Sequence, residues 1–205
     1  GCSSIASLKL SLSLSDYVIT EAGFGSDLGA EKFLDIVCPT ANITPDAIVL
    51  VVTIRALKYN GDGVLEKGIC NLDAHIDHLK NYQVPLVLCL NKFSDDSTED
   101  INFVLNYVKD KNLEIEISDA YTNGGNGAID LAKAVIKASE ADNNFTPLVN
   151  KEMTLEEKLE RLASVIYKAD SIEYSEEAKK KIELLKEIGL YHLPICVAKT
   201  QYSIS

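Results

Sequence analysis

Several short stretches carry residue types that could do chemistry. In IRALK, Arg55 and Lys58 stand three residues apart directly after an apolar run. Two cations so placed could meet a phosphate or a carboxylate, and arginine offers either a planar fork. The competing reading is ordinary surface charge. In NKF, Asn91–Phe93 closes a second apolar run. An N-K-x-D run at such a place can read a nucleotide base, but Ser94 stands where the Asp belongs, so the match is incomplete. TNGGNG, Thr122–Gly127, leads into the helical pattern AIDLAKAVI. A glycine turn opening a helix can present free N–H groups to an anion. It can equally be a flexible turn with Asn126 as an N-cap. His75 and His78 lie i, i+3 beside Asp73 and Asp77. No third ligand set has suitable spacing, so a solvated polar helix face is the better reading. His192 stands alone and reads as structural. GFGSDLG has the wrong glycine spacing for a dinucleotide fingerprint, and GxxxxGK[ST], GxSxG and HExxH do not occur.

The elements that must position these residues follow from the apolar pattern. Five runs read as strands, at 17–21, 47–53, 86–90, 113–117 and 193–198. AIVLVVT and PLVLCLN are continuous rather than alternating, as expected of strands covered on both faces. Helical patterns alternate with them at 27–38, 65–81, 98–110, 128–140, 155–168 and 175–188. Strand–helix alternation predicts an α/β fold with a mostly parallel sheet and flanking helices. In such sheets ligands sit beyond the carboxyl ends of the strands. That rule selects the loops GFGSDLG, IRALKYNGDG, NKFSDD and DAYTNGGNG. The polar connector at 141–153 is the best internal boundary, and no repeat is found.

Composition narrows the classes. The chain has 205 residues, 46% hydrophobic, with a formal net charge of −11. That fills a core and argues against wrapping nucleic acid or lying on an anionic membrane. The five cysteines are scattered, without a CxxC pair, as in a reducing compartment. Cys89, inside VPLVLCLN, reads as a small buried hydrophobe. No leader and no apolar run of about 20 residues is present, which predicts neither secretion nor a span. The abrupt start GCSSIASLKLSLSLSD and the end LPICVAKTQYSIS read as a piece of something longer.

ITEAGFGSDLGAEKF, VVTIRALKYNG, VPLVLCLNKF, AYTNGGNGAIDLAKAV, IYKADSIEYS and LPICVAKTQYS, taken in this order, resemble the formate–tetrahydrofolate ligase family over nearly the whole chain. The resemblance implies an ATP-dependent ligation of formate to tetrahydrofolate, through formyl phosphate, giving 10-formyltetrahydrofolate. It implies a P-loop-NTPase-like fold, with 1–64 ending a large nucleotide-binding domain, 65–150 an α/β folate-side domain and 151–205 the start of a C-terminal region. The family's Gly-Lys-Thr P-loop and main catalytic cations belong upstream of Gly1, so the isolated chain is expected to be inactive. A non-catalytic folate-binding or assembly module of the same descent is the alternative. ATP with magnesium, formate and tetrahydrofolate are the implied ligands, with a monovalent cation left open; a cytoplasmic homotetramer is the implied setting.

Residue by residue, the resemblance places Phe93, Ser94 and Tyr121 in a folate pocket. Phe93 matches a pterin-stacking aromatic; Ser94 replaces a usual proline, and Tyr121 replaces a tryptophan. Tyrosine keeps a flat π-face of smaller area and adds a hydroxyl. Gly124, Gly125 and Gly127 match GGxG, with Asn126 in place of an acidic residue. Phe24 and Gly25 fall on the nucleotide and formyl-phosphate side. Arg55 and Lys58 match the signature RALK and are assigned to site architecture. Lys199, Thr200, Gln201 and Tyr202 match AKTQYS, with no role assigned. The short passage from Gly63 into the next helix replaces a longer family insertion. Of the acidic residues in the first loop, Asp27 is expected as a helix N-cap and Glu31 as structural.

Overall fold

Ile48–Val52 (β1), Leu86–Asn91 (β2) and Glu114–Ser118 (β3) are the strands of the computed structural model, which describes residues 2–200 and 202–204. They form one parallel sheet in the order β1-β2-β3. The helices, in chain order, are α1 (Ile5–Leu14), α2 (Cys38–Ala41), α3 (Ile54–Asn60), α4 (Leu65–Lys80), α5 (Thr98–Asp110), α6 (Ala120–Asn123), α7 (Ile129–Ser139), α8 (Leu155–Tyr167) and α9 (Glu176–Glu187). The chain divides into two units. The sheet unit is Pro45–Phe145; the flanking unit joins the residues up to Thr44 with Thr146–Ile204.

In the sheet unit the ladder pairs Val52 with Leu90, and Leu90 with Ile117. The three strands therefore end level, and the chain leaves them at one rim. Leu88, Leu90, Val52 and Ile115 point to one face. There they pack with Ile54 and Leu57 of α3, Leu65, Ile69, Leu72 and Ile76 of α4, and Ile101, Val104 and Val108 of α5. Apolar residues at helical spacing on α4 and α5 dictate this, since each helix has one stripe to bury. α7 packs on β2 and β3, and Val87 and Cys89 are buried. Val49 and Val51 of β1 remain exposed. α3 and α4 cross closely: a Cβ on Gly68 would lie 1.7 Å from the Leu57 carbonyl oxygen.

Start signals are local and easily read. Ser97, Thr154 and Ser175 each cap their helix through a side-chain oxygen, Thr154 within a reciprocal box with Glu157. Thr53 does the same for α3, accepting from Ala56 N–H at 3.0 Å. IRALKYN is thus a short helix rather than the loop expected.

The flanking unit corrects two of the expected strands. Residues 17–21 and 193–198 are irregular, and Ile19 is 94% exposed. Neither has a ladder partner among the described residues, and a strand exists only through its partner. The Leu193 carbonyl instead accepts from the buried Lys158 Nζ at 2.9 Å. The helix expected at 27–38 starts at Ser26 and runs on to Ala41, with wide turns at Ser26–Ala30 and Phe33–Val37. In these turns N–H groups bond five residues back, Glu31 to Ser26 and Cys38 to Phe33. No helix among the described residues is long and apolar enough to cross a membrane.

Candidate functional site

The rim of the sheet unit collects most of the predicted residues. Arg55 leaves β1 in the first turn of α3, and Phe93 opens the loop after β2. The two meet: the guanidinium carbon of Arg55 lies 4.0 Å from the Phe93 ring centroid. The same guanidinium donates through Nη2 to Asp95 Oδ1 at 2.6 Å. Lys58, one turn along α3, donates to Asp100 Oδ2 at 2.7 Å. Lys92 approaches Asp119 Oδ2 at 3.5 Å. Each of these rim cations thus faces a carboxylate from a neighbouring loop or helix. Arg55 holds the Asp95 carboxyl below its ordinary range through that hydrogen bond, and Lys58 does the same to Asp100. In return the hydrogen bond from Asp100 pushes the Lys58 ammonium up. An anion arriving here must compete with these carboxylates.

The Phe93 loop is a tight turn. Its N–H donates to Asp96 Oδ2 at 2.8 Å, and its carbonyl accepts from Asp96 N–H at 3.2 Å. Ser94 is exposed at the turn. After β3, Tyr121 lies in α6 and is 98% exposed, its ring uncovered. The glycines that follow have different reasons. Gly127 is sterically required: its carbonyl accepts from Asp119 N–H at 2.9 Å, and a Cβ there would sit 2.3 Å from the Asp119 oxygen. Gly124 holds a positive φ of 57°, while Gly125 faces open space. The helix that starts after them is capped at Ala128 without a side-chain bond, so Asn126 is not its N-cap.

In the flanking unit, Phe24 is 84% exposed and precedes Gly25, whose φ of 70° opens the helix. The Gly25 carbonyl takes the first N–H groups, from Leu28 and Gly29. Gly25 is therefore the N-cap, and Asp27 is not: it lies inside the helix, fully buried. Asp27, Glu31 and Asp35 recur every four residues and are all buried. Residues at i, i+4 and i+8 share one face of a helix. Each acid has its own partner. Tyr167 Oη donates to Asp27 Oδ2 at 2.9 Å, Lys199 Nζ pairs with Glu31, and Leu148 N–H donates to Asp35 Oδ1 at 2.6 Å. Burial pushes the Glu31 carboxyl up, against the pull of Lys199, and burial beside Asp27 pushes the Tyr167 hydroxyl up. Lys199 also lies 5.1 Å from the Tyr167 ring. Lys199 of AKTQYS is thus a buried counter-ion to Glu31. Thr200 bonds locally with Tyr202 and Ser203. Gln201 lies outside the described residues.

The acid row was the signal the sequence reading missed, an Asp-x3-Glu-x3-Asp spacing visible in SDLGAEKFLD. His78, expected on a solvated face, is buried against Tyr82, 3.3 Å from its hydroxyl. Two open surface hollows, of about 310 and 670 Å3, contain none of the predicted site residues.

A three-stranded parallel sheet flanked by helices defines an α/β protein, with a cation, an aromatic ring and a glycine turn at the rim where the strands end. Comparison with known proteins narrows this class. The family model described as formate–tetrahydrofolate ligase matches residues 1–205, and the chain belongs to that family. It is 48% identical, over 216 aligned positions, to a formate–tetrahydrofolate ligase of Petrotoga mobilis (strain DSM 10674 / SJ95). All of this chain is covered, and it spans 39% of that relative's length.

Proposed function

We propose that this chain is one portion of an ATP-dependent formate–tetrahydrofolate ligase and supplies its folate-side rim. The observation that carries this is the family match across residues 1–205. In this reading formate is activated as formyl phosphate and the formyl group passes to tetrahydrofolate. Phe93 and Tyr121 offer flat faces to the pterin, with Ser94 beside them. The exposure of Tyr121 supports that role, because a large uncovered ring gains most when a second ring stacks on it. Phe24 and Gly25 serve the nucleotide and formyl-phosphate side, within a P-loop-NTPase-like whole. Gly127 holds the turn that carries Tyr121, and Lys58 with Asp100 anchors α3. Catalytic cations and the P-loop come from polypeptide outside this chain, and the setting in this reading is a cytoplasmic homotetramer. Among the described residues no group of three His, Cys, Asp or Glu converges to hold a metal ion.

Formate-dependent ATP consumption tests the reading. The 205-residue chain alone is expected to show none, and turnover at the rate of a full-length relative would overturn the assignment of catalysis to missing segments. Tyr121→Ala is expected to weaken tetrahydrofolate binding severalfold without loss of stability. Unchanged binding removes Tyr121 from the pocket. The 39% span keeps a second reading open, a non-catalytic folate-binding or assembly module. A P-loop encoded next to this segment in the same reading frame excludes it.

A further inference from the structure

We infer that Arg55 is an exchangeable cover on Phe93, setting the affinity of the rim for a flat ring. The inference rests on the folate reading of that rim. One loop supplies both things a guanidinium needs, the π-face of Phe93 and, two residues on, the carboxylate of Asp95. Arg55 engages both, at 4.0 Å from the ring centroid and 2.6 Å from Oδ1. The turn closed by Asp96 fixes the ring and the carboxylate relative to each other. A guanidinium is planar and lies on an aromatic face as a fused heterocycle does, so the two cannot share that face.

The cover is built to come off. The Arg55 and Asp95 side chains are 57% and 65% exposed, where water replaces either contact readily. Together a cation–π contact and an exposed ion pair hold the covered state over the open one by roughly three- to thirtyfold. A ring that needs the open state binds more weakly by that factor.

The test titrates tetrahydrofolate, anaerobically and by calorimetry, into the 205-residue chain and its Arg55→Ala, Asp95→Asn and doubly substituted forms. Arg55→Ala is expected to tighten binding roughly three- to thirtyfold, and Asp95→Asn by a smaller factor. The double form should match Arg55→Ala, because the latch has no effect once the cover is gone. In parallel, the Arg55 Nε–H resonance should carry a ring-current shift that is lost at saturating tetrahydrofolate. Equal or weaker binding by Arg55→Ala, or an Arg55 shift that persists at saturation, overturns the cover and leaves the folate reading intact. Absence of binding in all four proteins overturns both.

Discussion

Replacing Gly68 by alanine puts the closest contact in the sheet unit to work. Gly68 lies in the first turns of α4, where alanine alone would favour the helix by about 1 kcal/mol. The crossing with α3 opposes this. The new Cβ would stand 1.7 Å from the Leu57 carbonyl oxygen and 2.6 Å from its carbon. Both atoms are backbone, so no side chain can rotate away. Restoring ordinary contact requires a separation of roughly 1.5 Å or more. Gly61 makes the same crossing tight from the other side, its Cβ position being 2.1 Å from the Val64 oxygen. α3 can retreat only by drawing Ile54 and Leu57 from the core, where both are almost fully buried. Overpacking costs about 1–3 kcal/mol, and partial exposure of two aliphatic side chains adds about 1–3 kcal/mol more. After the helix gain, Gly68→Ala is expected to lose about 1–5 kcal/mol. Urea unfolding followed by far-ultraviolet circular dichroism reads this directly. At a slope of about 2 kcal/mol/M the midpoint falls by about 0.5–2.5 M. Gly63→Ala is the control: it meets open space and, with a φ of 88°, costs only about 1 kcal/mol. A Gly68→Ala midpoint at or above that of the parent chain, with unchanged slope, refutes the steric argument.

Other perturbations address the flanking unit. Asp35→Ala removes the acceptor of the buried Leu148 N–H and is expected to cost about 1–3 kcal/mol in the same assay. Lys199→Ala leaves Glu31 buried without its cation and should cost about 3–5 kcal/mol, whereas a paired Lys199→Met, Glu31→Leu change recovers most of it. The Cys38 thiol is pushed up to about 12 by burial. A raised folded pKa means the neutral thiol stabilises the fold fully below pH 9 and progressively less as pH rises toward 12. Stability should therefore fall above pH 9 with a slope of up to about 1.4 kcal/mol per pH unit from this group, and Cys38→Ala should flatten it. Iodoacetamide at neutral pH should label the exposed Cys70 and Cys196 in the folded chain but Cys38 and Cys89 only after unfolding.

The legible parts of this molecule were those fixed by near neighbours in sequence. PLVLCLN announced β2 because an unbroken apolar run suits a strand covered on both faces. Thr98–Asp110 emerged at its true bounds because its apolar stripe begins just after a serine cap. Phe93 and Arg55 were both singled out, yet nothing in the spacing showed that one lies on the other, since the contact joins a helix and a loop through the sheet register. The failures have the same origin. Tyr17, Val18 and Ile19 favour strands, but pairing is decided by a distant partner, and there is none among the described residues. In α1 the alternation of LKLSLSL mimics a strand, and as a helix it leaves Leu10, Leu12 and Leu14 exposed with Leu8 buried. The buried acids share one helix face by their i, i+4, i+8 spacing, but nothing local shows that the distant Tyr167, Lys199 and Leu148 meet them.

The division of the chain has a consequence for its synthesis. The sheet unit is an uninterrupted stretch, Pro45–Phe145. It can close its core as soon as Phe145 has left the ribosome. The flanking unit cannot. Asp35 waits for Leu148, Asp27 for Tyr167 and Glu31 for Lys199, contacts that span 113, 140 and 168 residues. Until the last of these emerges, the acid-bearing helix that precedes the sheet unit remains without the groups that allow its burial. Maturation is then ordered outward from Pro45–Phe145, which can fold before the segments on either side of it are locked to each other.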